Sequence, residues 1–180
     1  VNTGTEHRGM KKFQKYLIEF DYPQIYCDMD GVLANFVTAA ERFFEVDIRG
    51  HSDATFKKLW DSPQGSARLA KEWPTFWMDL PMLPHAQQMW SVIGPLHSSI
   101  LTAAPSNWPS AGTGKLIWCK RHLHNFRPSM NKFHAVRRSE KRRFAKQRDG
   151  TANILIDDFA KNINEWQQAG GVGVVYQDGD

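Results

Sequence analysis

Cysteine is scarce in this 180-residue chain: there are two, Cys27 and Cys119, and they form no CxxC pair. With one of them inside an apolar, strand-like run, buried thiols in a reducing compartment are expected and a disulfide framework is not. Long hydrophobic runs are missing too. No apolar stretch approaches the roughly 20 residues needed to cross a bilayer, and the opening residues lack the basic-then-apolar layout of a signal peptide. A cytoplasmic protein without a membrane partner is the expectation. Internal repeats and low-complexity linkers are also absent.

What remains is an ordinary globular composition, 41% hydrophobic and 23% charged, enough for one cored domain with a modest insertion. Aromatic residues are plentiful, with 7 Trp and 11 Phe, and part of that mass suits a pocket for a flat ligand. Net charge is +4, but it is local. Between Arg137 and Arg148 stand Arg137, Arg138, Lys141, Arg142, Arg143, Lys146 and Arg148 against Glu140 alone. The rest of the chain is therefore slightly acidic, and any generic affinity for nucleic acid must come from this segment.

Residues 1–21 read as an N-terminal extension, polar over Val1 to Gly9, with Met10 fitting a natural start. Strands are expected at Tyr22 to Cys27, Ser98 to Thr102, His134 to Val136, Asn153 to Ile156 and Val172 to Tyr176. Helices are expected at Asn35 to about Val46, at Pro84 to Trp90, at Thr113 to Asn125 and at Lys161 to Ala169. Turn signals fall at Ser62 to Gly65 and Trp73-Pro74. The alternation argues for an α/β domain with a largely parallel sheet flanked by helices. Residues 37–80 break it and read as a small helical cap inserted after the first strand, leaving 22–36 and 81–180 as the core.

Ligands of an open parallel sheet bind at the carboxyl ends of its strands. Three of the expected strands end in chemically loaded residues: Asp28 and Asp30, then Thr102, then Asp157 and Asp158. If those strands are neighbours, four carboxylates and a hydroxyl share one small volume, and they cannot all stay ionised there without a cation. Oxygen ligands with no His or Cys beside them suit Mg²⁺.

These residues resemble a known family. Asp28-Met29-Asp30-Gly31-Val32, Ile100-Leu101-Thr102, a downstream lysine and Leu155-Ile156-Asp157-Asp158 are similar to the four motifs of the haloacid-dehalogenase-like phosphatases, with their Rossmann-like core. The opening DMDGVLANF, the Phe76 to Pro81 segment and Ala160 to Ile163 resemble the 5'(3')-deoxyribonucleotidase branch and its phage and bacterial relatives. The resemblance runs from about Tyr22 to Tyr176.

It implies that Asp28 attacks phosphorus, forming an aspartyl-phosphate, and that Asp30 protonates the leaving alcohol and then activates water. Thr102 would bond a phosphate oxygen. Asp157 and Asp158 would complete a Mg²⁺ site with Asp28 and the main-chain carbonyl of Asp30, either acid being the direct ligand. The third-motif lysine is Lys141 or Lys146, with Lys141 favoured by its place after the third strand. Lys115 resembles a phosphate-contacting lysine, and Phe36, Phe76 and Trp77 fall where the family stacks a base or seals the site. Ala103 holds a substrate-contact position where relatives often carry Ser, and the Lys141–Asp157 interval is longer and more basic than in the animal enzymes. The implied activity is Mg²⁺-dependent hydrolysis of nucleoside monophosphates, deoxyribonucleotides foremost, by a chain that could form a homodimer. The alternatives are a polynucleotide-end phosphatase gripping its substrate through 137–148, and a nucleic-acid-binding protein with a relic site.

Overall fold

In the computed structural model, the described residues are 22–47, 58, 62, 75–104, 110–128 and 130–177. The expected extension at 1–21, most of the cap and the turn signal at Trp73-Pro74 lie outside them. Five strands form one parallel sheet: β1 (Ile25–Cys27), β2 (Ser99–Ala103), β3 (Phe133–Val136), β4 (Ile154–Asp157) and β5 (Val172–Val175), in the order β3-β2-β1-β4-β5. The helices are α1 (Phe36–Phe44), α2 (Thr75–Met78), α3 (Ala86–Ile93), α4 (Ser110–His122) and α5 (Ala160–Gln168), with a 3-10 helix over Arg138–Phe144. This is the α/β layering expected from the sequence, a parallel sheet flanked by helices.

The order explains the site. Chain direction carries β2 and β3 outward on one side of β1, and β4 and β5 outward on the other. The central strand is thus flanked by β2 and β4, whose registers set Cys27 opposite both Ile100 and Ile156. Asp28, Thr102 and Asp157 therefore stand at the carboxyl ends of three adjacent strands, where the switch-point rule puts ligands. β2 is buried along Ser99 to Thr102, as a central strand of a two-sided parallel sheet should be.

Two apolar clusters hold the layers. The larger joins Leu33, Trp77, Leu80, Trp90, Ile100 and Trp118, and the smaller joins Leu101, Leu155, Ile163 and Trp166. Both cysteines are free and buried. The ends of the expected insertion are tied together: the Asn35 amide donates to the Pro81 carbonyl (2.7 Å), and the Leu83 amide to the Leu33 carbonyl (2.9 Å). The Trp118 indole N–H then donates to the Leu80 carbonyl (2.7 Å), fastening the return segment to α4.

Boundaries differ from expectation where local chemistry intervenes. The first strand starts at Ile25, because Tyr22 is exposed and Pro23 has no N–H to enter a ladder. α4 starts at Ser110 and ends at His122, with Asn125 in the left-handed region at φ 58°. The basic 137–148 segment is not simply a solvated helix face: its 3-10 helix buries Lys141.

Candidate active site

The loop after β1 is a tight turn around one carbonyl. The amides of Leu33 and Ala34 both donate to Met29 O at 2.8 Å, and the Gly31 amide donates to Ala34 O at 2.9 Å. This closure requires φ +75° at Gly31, a left-handed value glycine adopts at little cost. A Cβ there would sit 2.0 Å from Asp158 Oδ2. Glycine is therefore what lets the first and fourth acidic segments touch.

Asp28, directly after β1, is buried, with its amide bonded to the Ile156 carbonyl at 2.9 Å. Its Oδ1 accepts from the Met29 amide at 2.8 Å, and its Oδ2 lies 2.7 Å from the Lys141 ammonium. Lys141 also donates to Asp157 Oδ2 at 2.8 Å. One buried ammonium thus bridges two buried carboxylates, and their attraction holds it above the ordinary lysine value although burial alone would lower it. Of the two lysines left open, Lys141 is the one that reaches the acids. Lys146 is exposed, with its side chain lying against Gly170.

Asp157 closes β4 and is fully buried. Its Oδ1 accepts from the Phe159 amide (2.9 Å), and both its oxygens accept from the Asn162 amide nitrogen (3.0 Å each). Burial raises the Asp157 carboxyl, the charge of Asp28 raises it further, and Lys141 opposes both. Asp158 reaches solvent, yet the protein crowded about its carboxyl, and then the charges of Asp28 and Asp157, push it up to about 7.

Oxygens of Asp28, Asp157 and Asp158 lie within 4.8 Å of one another. Three mutually crowded carboxylates, two of them displaced upward, form a hard-oxygen donor set that fits Mg²⁺.

Across the crevice, Lys115 from α4 is completely buried. Its ammonium pairs with Asp30 Oδ2 and donates to Thr102 Oγ1 (3.0 Å) and the Ala103 carbonyl (2.7 Å). Those three acceptors use all three of its N–H groups. Lys115 therefore fixes the acid and the threonine, and Ala103 takes part through its backbone. Asp30 Oδ1 is buried with no hydrogen-bond partner among the described residues. Burial raises the Asp30 carboxyl, with Lys115 pulling the other way.

The aromatics gather beside this lysine. Phe36 stacks on Trp77 at 5.7 Å and 8°, Phe76 meets Trp77 edge-on at 5.0 Å, and the Lys115 ammonium sits 4.8 Å above the Trp77 ring. Trp77 is only 2% exposed. It backs Phe36 and covers Lys115 and has little surface to offer a ligand, whereas Phe36 and Phe76 are partly exposed.

Sequence reasoning missed Asn162, which holds the Asp157 carboxyl. Asn162 sits within the quoted Ala160 to Ile163 stretch, three residues into a helix that opens beside the acids. That position was the available signal.

The site is thus a group of acids at the carboxyl ends of neighbouring parallel strands, with Asp28 directly after the central one. No family model matches the chain, and no curated protein matches it in sequence. Solved structures do match. One is a dehalogenase, 14% identical, covering 87% of this chain and 85% of its own, at a TM-score of 0.51. A second is the HAD hydrolase YfnB of Bacillus subtilis, solved with magnesium bound, at 16% identity, 84% and 87% coverage and a TM-score of 0.51. A third is a HAD family hydrolase of Deinococcus radiodurans with bound phosphate and sodium, at 14% identity, 84% and 79% coverage and a TM-score of 0.51. The fold is that of the haloacid-dehalogenase-like hydrolases.

Proposed function

We propose that the protein is a Mg²⁺-dependent phosphomonoesterase that hydrolyses nucleoside monophosphates, deoxyribonucleotides foremost, through an aspartyl-phosphate on Asp28. The observation that carries this reading is the pairing of two buried lysines with separate sets of acids: Lys141 with Asp28 and Asp157, Lys115 with Asp30. Lys141 thus sets a cation against the Asp28 carboxyl, while burial favours the protonated form of Asp30 against the pull of Lys115. The shared fold and the magnesium and phosphate in two of the similar structures are consistent with it.

Asp28, Asp157, Asp158 and the main-chain carbonyl of Asp30 would hold the Mg²⁺, which when bound neutralises phosphate charge and orients the phosphoryl group. The chain's own residues do the rest. A carboxylate oxygen of Asp28 forms a bond to phosphorus as the bond to the sugar oxygen breaks. Asp30 gives its proton to that leaving oxygen. Water then attacks the acyl phosphate, Asp30 takes the water's proton, and phosphate leaves with the Asp28 carboxylate restored. Thr102, whose oxygen accepts from Lys115, keeps its O–H to donate to a phosphate oxygen.

The cap, residues 37–80, would choose the substrate, with Phe36 and Phe76 offering apolar surface to a base and Trp77 supporting Phe36 from behind. Stacking of this kind contributes about 1–3 kcal/mol per base. Phosphate release should be measured with MgCl₂ on 5'- and 3'-mononucleotides of both sugars, sugar phosphates and 5'-phosphorylated oligonucleotides. Deoxynucleoside monophosphates should be cleaved fastest. Faster cleavage of sugar phosphates would sink the nucleotide reading and leave the phosphatase reading standing.

A second reading, the polynucleotide-end phosphatase, draws support from Arg137. That residue is exposed directly after β3, beside Ala104, whose amide bonds the Val136 carbonyl at 2.8 Å. It predicts that oligonucleotides win the same panel and that their rate falls steeply with salt. Lys141 and Arg138 are already committed within the protein, which leaves this reading fewer free charges than the bare sequence offers.

A further inference from the structure

Arg138 stands in a run of basic residues that invites a surface reading, yet its guanidinium is held by three hydrogen bonds within the protein. Nη1 donates to Asn162 Oδ1 (3.0 Å) and to Glu165 Oε2 (3.0 Å), and Nη2 donates to Glu165 Oε1 (3.1 Å). Glu165 holds the fork bidentately, which fixes its plane. Asn162 is 6% exposed. Because its amide oxygen faces Arg138, its NH₂ must face Asp157, where it donates to both carboxylate oxygens at 3.0 Å. Turned over, the amide would set an oxygen against a carboxylate.

The elements make this alignment natural. Residues three apart in a 3-10 helix lie on one face, so Arg138 and Lys141 point the same way. Asn162 and Glu165 likewise share a face of α5. Lys141 reaches Asp157 directly, and Arg138 reaches it through one amide.

We infer that Arg138 is a positioning residue for the metal-side carboxylate: it locks the Asn162 amide, and that amide holds the plane of Asp157. The inference rests on the proposed Mg²⁺ site. Residues standing behind a metal ligand in this way typically change metal affinity by about 10–100-fold.

The test is a calorimetric titration of MgCl₂ into the full chain at fixed pH and salt, with thermal melting of the metal-free proteins alongside. Arg138→Gln and Asn162→Ala should each weaken Mg²⁺ binding by about 10–100-fold. The double variant should bind no more weakly than Asn162→Ala alone, since Arg138 acts through that amide. Arg143→Gln, on the same 3-10 helix but paired among the described residues with half-exposed Glu140, should bind as wild type does. Arg138→Lys keeps the charge without the fork and should stay impaired, which also covers the case in which Arg138→Gln does not fold.

Unchanged binding by Arg138→Gln would overturn the inference. So would full rescue by Arg138→Lys, or a double variant weakened by the product of the single effects. Each of these would leave the proposed function intact. Failure of the wild-type chain to bind Mg²⁺ would remove the metal site itself, and the inference with it.

Discussion

Lys141 sets the charge balance of the crevice, because it is 2% exposed and touches two carboxylates that are themselves buried. Removing one partner from a buried ionic group typically costs about 3–5 kcal/mol. Lys141→Met should therefore melt at markedly lower temperature when metal-free and recover part of the loss in millimolar MgCl₂, read by differential scanning fluorimetry. Equal melting of the variant and the wild type without metal would count against the bridge.

Asp158 yields a pH prediction at the same scale. Its folded-state value, up to about 7, lies above the ordinary carboxyl value of 3.8. A group raised on folding contributes stability that is present below the unfolded value and lost as pH rises through the folded one. The metal-free protein should thus lose melting temperature between about pH 4 and pH 7–8, and Asp158→Asn should flatten that decline. Saturating MgCl₂ should flatten it in the wild type, because a bound cation favours the ionised acid.

At the scale of elements, α4 delivers Lys115 only because it lies close to the sheet. A Cβ on Gly112 would stand 3.0 Å from the Ala135 Cβ, and Ala135 pairs in register with Thr102. Gly112 precedes Lys115 by one helical turn, so a bulkier residue there lifts the lysine away from Thr102 and Asp30. Gly112→Val should cost about 1–3 kcal/mol of stability, as overpacking does. It should also lower kcat more than it changes Mg²⁺ affinity, since Lys115 touches Asp30 and Thr102 and not Asp157. A variant with full kcat would show that α4 can shift without consequence.

The same scale explains what the sequence could and could not tell. Strand ends bearing Asp28, Thr102 and Asp157 were legible because an apolar run that stops at an acid leaves a local trace. The parallel sheet then brought the ends together. The partners of Lys115 left no such trace, being set by a helix-to-sheet approach that depends on a glycine three residues earlier. Arg138 was hidden for a related reason: a 3-10 helix has no apolar periodicity to read, and its arginine sits in a charge run that resembles solvated surface. Trp77, quoted for a motif, proved buried because α2 packs against α4.

For the whole molecule, the strand order sets Asp28 at the end of the central strand, with Asp157 and Asp158 at the end of one neighbour and Thr102 near the end of the other. Among the described residues no helix is long and apolar enough to cross a membrane. Both halves of the crevice depend on lysines supplied from outside the sheet, so the site assembles only when α4 and the 3-10 helix have docked. The proposed chemistry turns most directly on Asp28. Its Oδ2 faces Lys141, and Lys141 keeps Asp157 as a partner when Asp28 is neutral, so Asp28→Asn should fold. The deciding measurement is phosphate release from a deoxynucleoside monophosphate in MgCl₂, wild type against Asp28→Asn at matched folded concentration. The account predicts clear turnover by the wild type, abolished by chelator, and a rate in the variant lower by roughly a thousandfold or more. A wild type that hydrolyses no phosphomonoester, or a variant that keeps near-normal activity, would contradict it.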